Sequence, residues 1–559
     1  MNLHKLTIEG RAVEVAAGAT ILQAAHKLGI EIPTLCHLPG LPPGASCMVC
    51  VVEVAGVHRL VPACAYPAGA GLAVQTDTPA VRAARRAAVE LLMSEHVGDC
   101  EGLCQRGCPA HLNIPLMIRQ IAAGRHAEAL ATVRRDIALP SVLGRICPAP
   151  CEKVCRRAKL DRPISICLLK RFAGDHGAED VRDGTASATR IWRDDLRVVR
   201  EPARAKGTDG TEPVPPDDKA HLPPASGRRV AVVGAGPAGL AATFYLRRRG
   251  HACDLFDDQP APGGALREHV PAERLPRDVL DREIEHIRRL GVNFHKGVRI
   301  GRDRTLANLR QTYDAVILAV GTLDAAQAAL LGAPMAARGL QADMHTYLTP
   351  LPGVFAIGGA LRPLKMSVRA CADGKECAFA CDEFLKGAAV GGELRRFNCI
   401  IGKLTEEELR EVSKQAVNRA RVEPAAGLPG GFTAEEARAE AERCLHCDCR
   451  KADDCRLRDA VEYLGAEHHR FAEGERHPFE LQIQANGLVF EPGKCIKCGL
   501  CVRVAQRHEE VPGISFIRRG FQMRISPPAG QTLAAALAEV AGEVIAACPT
   551  GALAGGSGE

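Results

Sequence analysis

All but five of the 24 cysteines in this chain stand in groups, and those groups limit what it can fold into more than any hydrophobic pattern does. Cys36 is followed by Cys47-Met48-Val49-Cys50 and then by Cys64. Cys100, Cys104 and Cys108 precede Cys147, Cys151, Cys155 and Cys167. Cys444, Cys447, Cys449 and Cys455 crowd together, and Cys495, Cys498 and Cys501 have a distant companion in Cys548. Disulfides do not persist in a reducing compartment, so thiols grouped at such intervals read as metal thiolates. The other five, Cys253, Cys371, Cys377, Cys381 and Cys399, are scattered singles of the kind that pack as small apolar groups.

Composition narrows the rest. A formal charge of +6 over 559 residues, with 4% aromatic content, argues against nucleic acid as a partner. No run of about 18 apolar residues suits a membrane span, and Met1-Asn2-Leu3-His4-Lys5 does not open a signal peptide, so the expected address is cytoplasmic. Length and patterning predict a multidomain α/β and α+β protein.

In the domain 1–80, residues 3–15 and 48–62 alternate apolar and polar positions around a helix-like stretch at 21–28, which predicts a small sheet packed on a helix. Its C-x10-C-x2-C-x13-C run (Cys36, Cys47, Cys50, Cys64) suits one [2Fe–2S] cluster, although four thiolates also suit zinc. Spacing and pattern resemble the β-grasp ferredoxin-like domain that opens the large iron–sulfur subunit of respiratory complex I.

Residues 81–182 form a helix-rich segment with His96-x3-Cys100-x3-Cys104-x3-Cys108-Pro109, then Cys147-Pro148-x2-Cys151-x3-Cys155 and Cys167. Seven thiols and one imidazole are the ligands of two [4Fe–4S] clusters. Gly107-Cys108-Pro109-Ala110-His111 and Gly144-Arg145-Ile146-Cys147-Pro148 resemble the helical domain of the glutamate synthase small subunit and of dihydropyrimidine dehydrogenase. That resemblance implies that Cys155 joins Cys100 and Cys104, while Cys108 joins Cys147 and Cys151. Two positions depart from it. His96 stands at the spacing of complex I's histidine-ligated cluster, and the family's acidic or amide ligand falls at Lys170, one helical turn after Cys167. His96 is therefore assigned to one cluster and Cys167 to the other.

Residues 183–227 are charged and Pro-rich and read as a linker. In 228–388, an apolar strand ends in Gly234-x-Gly236-Pro237-Ala238-Gly239, a helix follows, and a second strand closes on Asp257. Such a turn admits a pyrophosphate at the helix N-terminus, and the acid binds the adenosine ribose. Gly263-Gly264, Arg274, Gly321 and the Gly353–Gly358 segment continue the resemblance to the FAD-binding half of the glutamate synthase small subunit, with Gly359 in place of an aspartate. Those flavoproteins insert an NADPH domain before the closing segment. Here the interval from Gly321 to Gly353 carries no Gly-rich turn and is too short for one.

After a helical connector, 389–440, the C-terminal domain 441–559 is expected to hold two more [4Fe–4S] clusters, on Cys444/Cys447/Cys449/Cys455 and on Cys495/Cys498/Cys501/Cys548. The second motif resembles a complex I segment, with Ala505 where a further cysteine would start another cluster. The first also suits zinc. The whole reads as an iron–sulfur flavoprotein with one FAD, one [2Fe–2S] and four [4Fe–4S] clusters. It is expected to relay electrons between a NAD(P)H-oxidising or ferredoxin-linked subunit and a catalytic partner, with flavin-based bifurcation within its range. A glutamate-synthase-like electron donor and a flavin-free iron–sulfur wire or assembly subunit are the alternatives.

Overall fold

The computed structural model describes residues 3–177, 222–471, 476–510 and 512–556. The sequence-predicted linker lies outside the described residues as far as residue 221. The protein is a multidomain α/β chain whose contacts divide it into two compact units. One is assembled from Met1–Gly102, Arg396–Gln415 and His446–Glu559, the other from Leu103–Arg395 and Ala416–Leu445. The second unit is thus inserted twice into the sequence of the first.

In the first unit, Leu3–Ile8 pairs antiparallel with Arg11–Ala16 and parallel with Ala73–Gln75, which continues to Val51–Val54 and Val61–Pro62. Leu6, Ile8, Val13 and Val15 alternate onto one face and bury against Ile21, Leu22 and Ala25 of the helix Ile21–Lys27. That helix starts at a reciprocal cap, Thr20 with Gln23, which satisfies two otherwise orphaned backbone donors. The next helix, Pro79–Ser94, is fixed to the sheet by buried Arg85, whose guanidinium donates twice to the Val51 carbonyl, at 2.9 and 3.1 Å. The C-terminal part of the unit packs the helices Leu500–Arg507 and Ala541–Ala547 on a small sheet of Gln482–Ile483, Leu488–Phe490 and Leu553–Gly555.

The second unit joins a helical layer, Ile114–Ala122, His126–Asp136, Pro140–Ile146 and Ile166–His176, to a five-stranded parallel sheet. Strand order is Val354–Ala356, Ala315–Leu318, Arg229–Val233, Ala252–Asp257, Asn293–Lys296. Its central strands read as unbroken apolar runs because both faces are covered. The helix Ser367–Leu385 lies so close to Pro237–Arg247 that a Cβ on Gly374 would stand 2.4 Å from the Ala238 carbonyl oxygen. Between Gly321 and Gly353 the chain forms only the short helix Ala325–Leu331 and a hairpin of Met335–Ala336 with Gly339–Leu340. Among the described residues no helix is long and apolar enough to cross a membrane.

Candidate functional site

Three thiol sets lie in the first unit. Cys36, Cys47, Cys50 and Cys64 are all buried, on the loops around the strands Val51–Val54 and Val61–Pro62. Cys47 and Cys64 hydrogen-bond to the Cys36 sulfur and hold it well below the usual thiol range, and Cys64 lowers Cys50 to about 7. Sulfurs that share protons in this way already face one another.

Cys495, Cys498 and Cys501 enter the helix Leu500–Arg507 through a left-handed turn at Lys497 and Gly499. With Cys548 they line a small apolar cavity closed by Phe490 and Leu553. A dry pocket walled by four sulfurs and apolar side chains fits an iron–sulfur cluster.

The third set joins residues distant in sequence. The Cys100 N–H donates to the Cys399 carbonyl at 3.2 Å, the Cys399 N–H reaches the Cys100 sulfur at 3.5 Å, and the Cys449 N–H donates to the Cys100 carbonyl at 3.2 Å. Cys455 is within electrostatic reach of both Cys449 and Cys100. Gly551 leaves room for sulfur here, since a Cβ would stand 2.2 Å from Cys449 Sγ. His96 is half-buried, but its Nδ1 is itself shut off from solvent and has no hydrogen-bond partner; desolvation lowers its pKa to about 3, so it is a neutral imidazole with a lone pair to offer. Cys399, by contrast, directs its thiol to the Gly98 carbonyl at 2.8 Å. The resemblance implied a different grouping, Cys100 with Cys104 and Cys155, and spacing put Cys449 and Cys455 with Cys444 and Cys447. The unit boundary separates Cys100 from Cys104 and Cys444 from Cys449.

These three sets share their supports. Arg503 donates to the Cys36 carbonyl at 2.8 Å and to the Cys498 carbonyl at 3.0 Å, linking the first set to the second. The turn that follows Cys548 links the second to the third. The Pro549 carbonyl accepts from the Leu457 N–H and from the Cys455 thiol, and Gly551 lies on Cys449.

In the second unit the Cys167 thiol hydrogen-bonds to Cys147 and Cys151, and Cys108 is within electrostatic reach of Cys147. Cys147 caps the end of Pro140–Ile146, whose start is held by buried Glu283, which accepts from the Ser141 and Val142 N–H groups at 3.1 and 2.9 Å. Lys170 is 4% exposed and extends into this group, its Nζ 3.9 Å from Cys167 Sγ. Cys104, Cys155 and Cys444 belong to the same unit, and Cys447 to the first. No three His, Cys, Asp or Glu side chains among the described residues stand as the ligands of one metal ion would. A cubane asks for something different, one ligand on each of four irons.

The glycine turn of the second unit is built for close approach. A Cβ at Gly239 would lie 1.9 Å from the Gly234 carbonyl oxygen, and one at Gly234 would lie 2.4 Å from that of Ala319. Around Gly236 no atom comes within 4 Å of a Cβ, which leaves an open face beside the helix start, where no side chain caps the backbone N–H groups. Gly264 packs on Gly236, Gly263 donates to the Ala235 carbonyl at 2.9 Å, and Gly358 abuts Ala238. The Asp257 carboxylate accepts from the Ala235 N–H at 2.5 Å and the Gln259 N–H at 2.9 Å, and burial raises its pKa. A Cβ built on Gly359 would lie 3.0 Å from the backbone at Gly321 and Thr322, so a side chain here would crowd that turn. Arg274 donates to the Ile146 carbonyl at 3.1 Å, one residue before Cys147. Cys371 donates to the Pro237 carbonyl at 3.5 Å and lies within electrostatic reach of Cys147 and Lys170, connecting the turn to the thiol set. Sequence reasoning missed Cys371, Cys399 and Arg503 as parts of these sites, because neither spacing nor composition distinguishes them.

Family models match four stretches of the chain. Residues 4–79 match the 2Fe-2S iron-sulfur cluster binding domain, and 84–181 match dihydropyrimidine dehydrogenase domain II, 4Fe-4S cluster. Residues 232–295 match the NAD(P)-binding Rossmann-like domain, and 488–554 match the NADH-quinone oxidoreductase subunit 3, ferredoxin-like domain. Among curated proteins, the beta subunit of the NADP(+)-dependent formate dehydrogenase of Moorella thermoacetica is 41% identical over 223 residues, 39% of this chain and 29% of that one. The beta subunit of the NADPH-Fe(3+) oxidoreductase of Geobacter sulfurreducens is 36% identical over 39% of this chain and 28% of its own length. The small chain of the NADPH glutamate synthase of Escherichia coli is 31% identical over 39% of this chain and 40% of its own. The chain thus spans well under half the length of these relatives.

Proposed function

We propose that the chain is an electron-transfer subunit of a larger cytoplasmic oxidoreductase, with one [2Fe–2S] cluster, four [4Fe–4S] clusters and one FAD. It relays electrons between a separate NAD(P)H- or ferredoxin-linked subunit and a catalytic partner. Bound clusters would supply one-electron transfer and the flavin an exchange between one- and two-electron steps. The chain's own residues hold, space and charge them.

The observation that carries this reading is the shared support of the three sets in the first unit, through Arg503 and through the turn after Cys548. The residues there would hold a two-iron cluster on Cys36, Cys47, Cys50 and Cys64, a cubane on Cys495, Cys498, Cys501 and Cys548, and a cubane on Cys100, Cys449, Cys455 and His96. The orphaned Nδ1 of His96 favours imidazole as the fourth ligand, since a buried polar atom without a partner calls for an absent one, whereas the Cys399 thiol already has Gly98. In the second unit Cys108, Cys147, Cys151 and Cys167 hold another cubane beside the glycine turn. Cys104, Cys155, Cys444 and Cys447 are retained as ligands without being grouped into a set.

Protein purified anaerobically is expected to contain about eighteen irons per chain with matching acid-labile sulfide, from one two-iron and four four-iron clusters. Zinc in their place would sink the reading. NADPH or NADH alone is expected to leave the flavin oxidised, because the short connection from Gly321 to Gly353 supports no second nucleotide domain. The alternative, nicotinamide bound directly at the Gly234–Gly239 turn, is favoured by the Rossmann-like match, and rapid bleaching by NADPH without a partner protein would establish it. Replacing His96 with alanine is expected to shift or remove one cubane's EPR signal and to leave the two-iron spectrum intact. An unchanged set of signals would take His96 off the ligand roster.

A further inference from the structure

Three lysines are buried among the described residues, and two of them have carboxylates. Lys375 pairs with Asp136 at 3.1 Å and Glu393 at 2.9 Å, and Lys494 pairs with Glu491 at 2.7 Å. Lys170 is different. Its one hydrogen-bond partner among the described residues is the Cys167 sulfur, at 3.9 Å, with the Cys147, Cys151 and Cys108 sulfurs in electrostatic reach and no carboxylate beside it. Glu152, the acid that touches this helix start, is already committed: one oxygen accepts from the Cys167 N–H at 2.9 Å and the other pairs with Arg421 at 3.1 Å. A buried ammonium without a counter-charge is too costly for a fold to keep unless a charge arrives from elsewhere.

We propose that Lys170 is the built-in counter-charge of the cluster on Cys108, Cys147, Cys151 and Cys167, and that it raises the reduction potential of that cluster. The inference rests on the reading that these four thiols hold a [4Fe–4S] cluster. Four thiolates around a cubane core give a net negative charge, which one added electron increases by one. A fixed positive charge against one ligand sulfur favours the reduced form, and net charge and contacts at the sulfurs are what set such potentials. Reduction takes one electron from a one-electron donor, moves no proton and breaks no bond. Helix geometry holds the group in place. Cys167 and Lys170 are three residues apart on Ile166–His176 and so share a face. The cluster it would favour lies on the side of the unit where Cys371 reaches the glycine turn.

The test is an EPR-monitored redox titration of the full chain, purified anaerobically and reduced stepwise with dithionite, comparing the native protein with Lys170→Met and Lys170→Arg. Cys147→Ser identifies which cubane signal belongs to this set. Lys170→Met is expected to lower that cubane's reduced-to-oxidised ratio at a given potential at least tenfold, a fall of 59 mV or more for one electron, with iron content and the other signals unmoved. Lys170→Arg, which keeps the charge, should stay within twofold of native. A fully loaded Lys170→Met protein with a shift below twofold overturns the proposal. Should Lys170→Met lose this one cluster, retention in Lys170→Arg supports the counter-charge role, and loss in both overturns it in favour of packing alone. If Cys147→Ser removes no cubane signal, the cluster reading itself has failed and the proposal falls with it, an outcome distinct from a silent lysine.

Discussion

Arg443→Ala is expected to destabilise the second unit by about 3–5 kcal/mol, the cost of leaving a buried charge without its partner. Arg443 is fully buried, as is Glu440, to which it donates at 2.8 Å. Its other donors reach Asp161 at 2.9 Å and the carbonyls of Arg419 and Arg162, both at 3.0 Å. Glu440 in turn accepts from the Ser165 and Val422 N–H groups, tying the segment before Cys444 to the start of the helix that carries Cys167. Truncation leaves Glu440 charged in the interior, takes the Arg443 donor from the Arg162 carbonyl, and leaves the Arg419 carbonyl only Arg157 at 3.5 Å. Faster hydrogen exchange at the Ser165 and Val422 amides and a lower urea midpoint would register the loss. Replacing Arg443 and Glu440 together with apolar residues should recover much of it. The same network is acid-sensitive. The Arg157 guanidinium first, and Arg443 after it, hold Asp161 well below its ordinary 3.8. Its contribution is therefore complete above that value and is lost as pH falls through the lowered one.

Gly239→Ala is expected to reduce bound flavin at least tenfold and to destabilise the parallel-sheet portion by about 1–3 kcal/mol, because the new methyl would meet backbone that cannot turn aside. The Gly234 carbonyl oxygen, 1.9 Å from the built Cβ, belongs to the turn itself, so helix and turn would have to part. Gly236→Ala separates the two effects. Its Cβ meets no protein atom within 4 Å, so the apoprotein should keep its melting temperature, while the methyl stands where a pyrophosphate would approach. Flavin absorbance and a thermal melt on both variants make the comparison. A Gly236→Ala protein with full flavin would refute the nucleotide reading of this face.

The sequence made some sites plain and concealed others, for a physical reason. Cys36 to Cys64, and Cys495 to Cys501 with Cys548, come from loops of one small domain, so spacing carries their geometry. Lys170 was visible as a departure in a ligand position, but only its burial and the commitment of Glu152 elsewhere reveal a charge in need of a partner. The proximity of Cys100 to Cys399 and Cys449 was hidden because backbone hydrogen bonds bring together residues that lie far apart in the sequence. The parallel sheet was legible from its unbroken apolar strands and glycine turn. Arg503 was not, since one arginine on an amphipathic helix looks like any other until the two carbonyls it bridges are known.

Because the first unit is completed only by its last segment, synthesis imposes a schedule on it. Cys108, Cys147, Cys151 and Cys167 leave the ribosome close together, so the cluster proposed for them could be loaded while translation continues. Cys100 waits for Cys449 through about 350 further residues, roughly 20–70 s at ordinary elongation rates. For that interval its thiol is exposed to oxidants, and a cell short of iron or rich in oxygen would accumulate chains matured in the middle and damaged at the seam.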